Sequence, residues 1–368
     1  MIDAAKTSFD KREIIRILSA RDPAEIERFR QAAEQVLLDQ CGSTVYFRGL
    51  IEFSNVCAGN CLYCGIRAGN AKLRRYTLTN EEIVDAALWC AGQGFGSVVL
   101  QSGERRDPPF IDFVENTVRD IKERSRSPKM PDGLGITLSV GEQRPDTYAR
   151  WFRAGAHRYL LRIETSSRAL FEIIHPPEQS FASRVNCLRA LKEIGYQLGT
   201  GVMIGLPGQT VEDLADDILF FREIDADMIG MGPYIIHRDT PMRTFREEIA
   251  CRKSDIFRQS LLMIAATRLG LKDVNIASTT ALQAMQPDGR EQGLRFGANV
   301  VMPLVTPGRV RKDYLLYDGK PCIDESEKTC AGCLRGRIAS IGREAGSFAW
   351  GDSVHAAKRP AQADSRSS

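Results

Sequence analysis

From residue 44 to about residue 305, short runs of apolar residues alternate with longer stretches in which apolar side chains recur every three or four positions. The short runs read as strands buried on both faces, and the longer stretches as helices crossing back between them, the pattern of a parallel sheet. Eight runs qualify: TVYFRGLIEFS, SVVLQS, ITLSV, RYLLRIE, GVMIGL, DMIGMGPY, VNIAST and NVVMPLV. No hairpin signal or reversal interrupts them. The pattern therefore predicts an α/β fold closed as a (β/α)8 TIM barrel, with an open doubly wound sheet as the alternative. Thr79 with Glu82, and Thr210 with Asp213, have capping-box spacing, and Gly195 suits a helix C-cap.

Ahead of the barrel, residues 1–43 carry apolar positions at Ile14, Ile15, Ile17 and Leu18, and again at Val36, Leu37 and Leu38. They predict a helical extension capping one end. The barrel is assigned to residues 44–310 and a cysteine-containing extension to 311–349. From about residue 350 to 368 apolar content is low, which predicts a disordered tail.

Composition narrows the class. With 368 residues, 43% apolar and 26% charged, the chain suits either one large domain with short terminal additions or two domains, with a substantial core, not a fibre or a disordered polymer. Its net charge of +3 comes from 50 basic and 47 acidic residues spread along the sequence, so no nucleic-acid partner is expected. The N-terminal MIDAAKTSFDKREIIRIL has no continuous apolar stretch, and nowhere do eighteen uncharged apolar residues follow one another. A cytoplasmic protein without a membrane partner is expected. Ten cysteines then argue for metal chemistry rather than disulfides. Six fall in two groups, Cys57, Cys61, Cys64 and Cys322, Cys330, Cys333, while Cys41, Cys90, Cys187 and Cys251 stand alone and read as small core residues.

The first group has C-x3-C-x2-C spacing, with Tyr63 before the last cysteine, just beyond the first strand. Three thiolates hold three irons of a [4Fe–4S] cube and leave the fourth open to chelate a ligand. The alternative is a structural zinc site, which needs four ligands, and no histidine lies between Cys64 and His157. The other polar, glycine-rich segments, SGE, GE, ETSS, PGQT, TTAL and TPGR, also follow strands, at the face where barrels gather reactive groups.

This cysteine motif after strand one resembles the radical S-adenosylmethionine (SAM) superfamily. The resemblance implies that the open iron binds the amino and carboxylate groups of SAM, and that one electron splits a carbon–sulfur bond to give a 5′-deoxyadenosyl radical. It further implies cofactor contacts at Tyr63, Gln101, Ser102, Gly103, Glu104, Met203 and Gly205. The runs IEFSNVC, NCLYCG, VVLQSGE, RYLLRIET, GLPGQT, GPYIIHRDTP, LRFGANVVMP and LLYDGKPC resemble more narrowly the family of HydE, the radical SAM maturase of [FeFe]-hydrogenase. By that likeness Glu164 meets the ribose hydroxyls and Arg184 the SAM carboxylate. Thr137, Arg162, Thr279, Thr280, Met302 and Tyr314 line the substrate cavity. Read without the likeness, Arg162–Glu164 is an ion pair and Thr279–Thr280 a helix cap. One departure stands out: Ile163 occupies the position of a family histidine.

Cys322, Cys330 and Cys333 match cysteines that carry an auxiliary iron–sulfur cluster in some relatives, with zinc as the alternative. The implied function is action on an Fe(CO)2(CN)–cysteine synthon in hydrogenase H-cluster assembly, with a reducing electron donor and the maturation proteins HydG and HydF as partners. Two other readings are a lysine mutase resembling 3-methylornithine synthase, which lacks the second cysteine group, and a non-catalytic iron–sulfur or zinc scaffold.

Overall fold

The longest apolar run forms β1 (Thr44–Ser54), and all later barrel strands lie parallel to it. These are β2 (Ser97–Ser102), β3 (Gly135–Ser139), β4 (Arg158–Leu160), β5 (Gln197–Thr200, resumed at Met203–Ile204), β6 (Met228–Ile229, resumed at Gly232–Pro233), β7 (Asn275–Ile276) and β8 (Val300–Val301). In this computed structural model, which describes residues 9–324 and 327–359, β8 pairs with β1, and the order then follows the sequence to β7. Ser278 N–H donates to the Val300 carbonyl (2.8 Å) and Asn299 N–H to the Ile276 carbonyl (2.9 Å), joining β7 to β8. The parallel sheet thus curls into a barrel with helices outside.

Each expected run contains a strand or part of one, but β5 begins four residues early, at Gln197, because its polar ends hid its first half from the apolar pattern. Both capping boxes form, and Gly195 closes its helix at φ +107°.

The N-terminal helices Lys11–Leu18 and Pro23–Cys41 do not cap a mouth. They pack against the outer helices Val211–Glu223 and Lys253–Leu271, where Ile14, Ile17, Leu18, Phe29 and Ala33 join the core. The mouth at the strands' N-terminal ends is closed instead by residues 350–353. Here Arg48 and Arg158 are buried inside the ring, and buried charge demands partners. The Gly351 carbonyl accepts from Arg48 Nη2 (3.0 Å) and Asn275 Nδ2 (2.9 Å), and the Trp350 carbonyl from Arg158 Nη1 (3.0 Å) and Ser97 Oγ (2.6 Å). Asp352 pairs with Arg158 at 2.6 Å.

The tail expected to fray from residue 350 is therefore ordered over 350–359. Its anchors are polar, which an apolar count overlooks; residues 360–368 lie outside the described residues. Just before it, β9 (Glu344–Ala345) pairs with the start of β1. No helix among the described residues is long and apolar enough to cross a membrane.

Candidate active site

The opposite mouth holds the first cysteine group, on the loop that leaves β1. Asn55 fixes the loop's base, its Nδ2 donating to the carbonyls of Arg74 (2.8 Å) and Asp313 (2.6 Å). Arg75 staples the interior, donating to the carbonyls of Asn55, Ile66 and Arg67 at 2.6–2.7 Å. The end of β2 passes directly beneath. A Cβ on Gly103 would stand 2.4 Å from the Val56 carbonyl oxygen and 2.6 Å from Cys57 Cβ, so only glycine permits the approach. Next to it, the Glu104 N–H points at Cys57 Sγ (3.3 Å), and Cys61 Sγ lies 3.2 Å from Gln179 Oε1.

Burial pushes all three thiols up: Cys57 above its ordinary range, Cys61 to about 11 and Cys64 well above that range. Alone they stay protonated near neutrality, and a bound cationic metal centre reverses that by taking the thiolate charge. Among the described residues, no three His, Cys, Asp or Glu side chains converge to hold a single ion. Three soft donors facing a shared cavity suit a multi-iron group with an open corner better than a four-ligand zinc site.

That cavity, of about 340 Å³, runs from the cysteines into the barrel. Sixteen residues expected at the site line it: Cys57, Cys61, Tyr63, Cys64, Gln101, Ser102, Gly103, Glu104, Arg162, Glu164, Arg184, Met203, Thr279, Thr280, Met302 and Tyr314. Thr137 and Gly205 do not. Thr137 sits across from Arg158 in the sheet register and accepts from Arg158 Nε (3.1 Å), which turns it toward the closed mouth; Ser139, two residues on, lines the cavity instead. Gly205 answers a local need: at φ +92°, a Cβ there would meet Ile256 at 2.6 Å. Ile163 is buried in the main core, its N–H donating to Thr200 Oγ1, and it does not line the cavity. Position 163, where the resemblance led to expecting a histidine, thus lies off the cavity wall.

Glu164 adopts φ +68°, a left-handed conformation costing a non-glycine residue about 1–3 kcal/mol. It is held by its N–H on the Gly201 carbonyl (3.0 Å) and by the Met203 N–H on its own carbonyl (2.9 Å). Arg162 grips its carboxylate through Nε (3.0 and 3.1 Å) and Nη2 (2.9 Å), and donates from Nη1 to the Gly230 carbonyl (2.9 Å). The ion pair expected from these two residues forms, on the cavity wall. Thr279 stands at the N-cap of helix Thr280–Met285, yet its hydroxyl makes no cap bond and has no partner, so the cap reading fails for its side chain.

Several charged residues that hold the cavity's side chains in place escaped sequence reasoning. Glu142, after β3, accepts from Arg184 Nε (2.6 Å) and Ser183 Oγ (2.8 Å), while its N–H donates to Glu104 Oε2 (2.8 Å). Arg106 bridges Glu104 and Glu142. Against burial, which lowers it, the Glu142 charge holds the Arg184 guanidinium above its ordinary value. Deeper in, Lys320 Nζ donates to Glu52 Oε1 (2.5 Å) and the Tyr314 carbonyl (3.1 Å), and Gln101 Nε2 donates to Tyr314 Oη (3.2 Å). A lone glutamate inside an apolar strand was the available signal for Glu52. Glu142 and Lys320 gave none beyond their motifs.

Of the second cysteine group, Cys322 is half-buried at φ +64° and Cys333 is exposed on helix Glu327–Ser340. The Cys330 side chain lies outside the described residues.

Residues 51–221 match the model of the radical SAM superfamily. The chain is 44% identical over 337 residues to the [FeFe] hydrogenase maturase subunit HydE of Thermotoga maritima, covering 91% of this chain and 92% of that protein. It is 26% identical over 328 residues to 3-methylornithine synthase of Methanosarcina acetivorans, covering 89% and 88%. Among solved structures, methylornithine synthase (PylB) superposes with a TM-score of 0.78 at 24% identity, over 94% of this chain and 96% of that one. HydG, a maturase of the [FeFe]-hydrogenase, gives 0.73 at 17%, over 93% and 77%. Both structures share the fold.

Proposed function

Because the chain belongs to the radical SAM superfamily, within the family of the hydrogenase maturase subunit HydE, we propose that it acts in assembly of the [FeFe]-hydrogenase H-cluster, on an Fe(CO)2(CN)–cysteine synthon. The observation that carries this reading is identity of 44% spanning 92% of HydE, far above the likeness to the mutase.

Membership implies a [4Fe–4S] cluster and SAM, which when bound supply a 5′-deoxyadenosyl radical by one-electron cleavage of SAM. Cys57, Cys61 and Cys64 would hold the cluster. Glu104 would receive the SAM amino group, Arg184 its carboxylate and Glu164 the ribose hydroxyls, with Tyr63, Gln101, Ser102, Gly103 and Met203 completing the wall. Glu142 and the Arg162 carbonyl fix the Arg184 guanidinium plane before any ligand arrives, so little ordering cost falls on binding. Arg162, Thr279, Thr280, Met302 and Tyr314 would position the substrate. The closed lower mouth keeps bulk water from entering beneath it. A second iron–sulfur cluster on Cys322, Cys330 and Cys333 would be auxiliary, so Cys330→Ala should retain most SAM cleavage.

The test is in vitro maturation: apo-hydrogenase with HydG, HydF, a reducing donor and this protein should gain activity that is lost when this protein is omitted. No gain refutes the assignment, and conversion of lysine to methylornithine by the reduced enzyme would establish the mutase instead.

A further inference from the structure

Inside the barrel, three polar atoms on the cavity wall are buried without a partner: Glu52 Oε2, Thr279 Oγ1 and Tyr234 Oη. Buried polar atoms are nearly always satisfied, and an orphan costs about 1–3 kcal/mol, so three around one cavity describe what is to fill it. Glu52 is the most demanding. It is 1% exposed, and Lys320, 8% exposed, occupies only its other oxygen. With an ammonium already on Oε1, Oε2 is left in the cavity wall as a strong acceptor without a partner. An adjacent anion and cation in the wall of one cavity complement the adjacent ammonium and carboxylate of an α-amino acid.

We propose that Glu52 and Lys320 form the head-group receiver of the substrate cavity, Glu52 Oε2 accepting from the α-amino group of an amino-acid-derived substrate and Lys320 facing its carboxylate. This deepens the reading given above, and rests on it for the choice of a cysteine-derived ligand. The charge pair selects the head group and leaves the side-chain chemistry to the rest of the wall. Neither residue touches the cysteine loop in the bonds described, so both act on substrate position rather than on SAM cleavage.

The test uses reconstituted holoenzyme with SAM and two ligand pairs that differ only by the α-amino group: L-cysteine with 3-mercaptopropionate, and L-lysine with 6-aminohexanoate. Binding is measured by titration calorimetry on wild type, Glu52→Gln and Lys320→Met. In wild type, at least one amino acid should bind about tenfold more tightly than its deamino partner. Glu52→Gln should bring that ratio close to one, and Lys320→Met should weaken both members of the pair. Each ratio is taken within one preparation, so a partly misfolded variant does not alter it. An equal ratio in wild type and Glu52→Gln, or no binding of any of the four probes, overturns the proposal. The pair that binds separates a cysteine-derived from a lysine-derived substrate. Failure of maturation with the ratio intact would refute the hydrogenase assignment and leave the receiver standing.

Discussion

Replacing Glu142 with glutamine isolates the charge that holds Arg184 on the cavity wall. Both partners of the Glu142–Arg184 bridge are 7% exposed, with Nε–Oε1 at 2.6 Å. For charge centres about 4 Å apart and an effective dielectric near 20, the attraction is about 4 kcal/mol. Glutamine keeps the shape and one acceptor for Ser183 but strands a buried guanidinium, which costs about 3–5 kcal/mol. In a chain of this size, that lowers the melting temperature by about 4–6 °C. Thermal melts of the apo protein, followed by near-ultraviolet circular dichroism, keep cluster loss out of the transition. Adding Arg184→Gln to Glu142→Gln should recover at least half of the loss, because no lone charge then remains. A drop below about 1 kcal/mol, or strictly additive single and double changes, would mean that the pair is solvated and does not preset Arg184.

Three further outcomes follow from the same geometry. Gly103→Ala places a methyl 2.4 Å from the Val56 carbonyl oxygen, which should cost about 1–3 kcal/mol, displace Cys57 and lower iron bound after reconstitution; wild-type iron content would contradict the close packing. His175 is held down to about 3 by burial and then by the Arg184 charge, so it is neutral in the fold, while the unfolded chain takes up its proton below about 6.5. Its contribution is complete above pH 6.5 and is lost as pH falls, by about 2 kcal/mol between pH 7 and 5; urea melts of His175→Gln should show a flatter pH dependence, and an identical slope would refute this. Ending the chain after residue 349 strips Arg158 of Asp352 and the Trp350 carbonyl, and Arg48 of the Gly351 carbonyl, so stability should fall by about 3–5 kcal/mol; an unchanged melt would return residues 350–359 to the status of a loose tail.

Much of the barrel was legible because strand burial leaves an apolar run of the right length, and helix starts leave local signatures such as Thr79–Glu82. The cysteine trio was legible as a group because its three members lie within eight residues of each other. What stayed hidden depends on contacts far apart in the chain. Arg48 and Arg158 read as ordinary strand residues until Trp350, Gly351 and Asp352, some two to three hundred positions later, supply their partners. Thr137 was misplaced for a related reason: its strand was right, but which mouth its hydroxyl serves is fixed by the register that sets it beside Arg158. Arg184 was expected on the cavity wall without its partner Glu142, since a Gly-Glu pair at a strand end reads as a turn. Ile163 raised a question about the cavity that its packing answers, because its side chain is buried in the main core and does not line the cavity.

On the proposed function, Cys57, Cys61 and Cys64 hold an iron cube with one corner open to SAM. The most direct test is a variant with Cys322, Cys330 and Cys333 changed to alanine, reconstituted anaerobically, so that iron reports only on the first site. The expected result is about four irons and four sulfides per chain, an electron paramagnetic resonance signal of the reduced cluster that shifts when SAM is added, and release of 5′-deoxyadenosine and methionine that Cys64→Ala abolishes. Zinc in place of iron, or SAM left whole by the reduced protein, would contradict it.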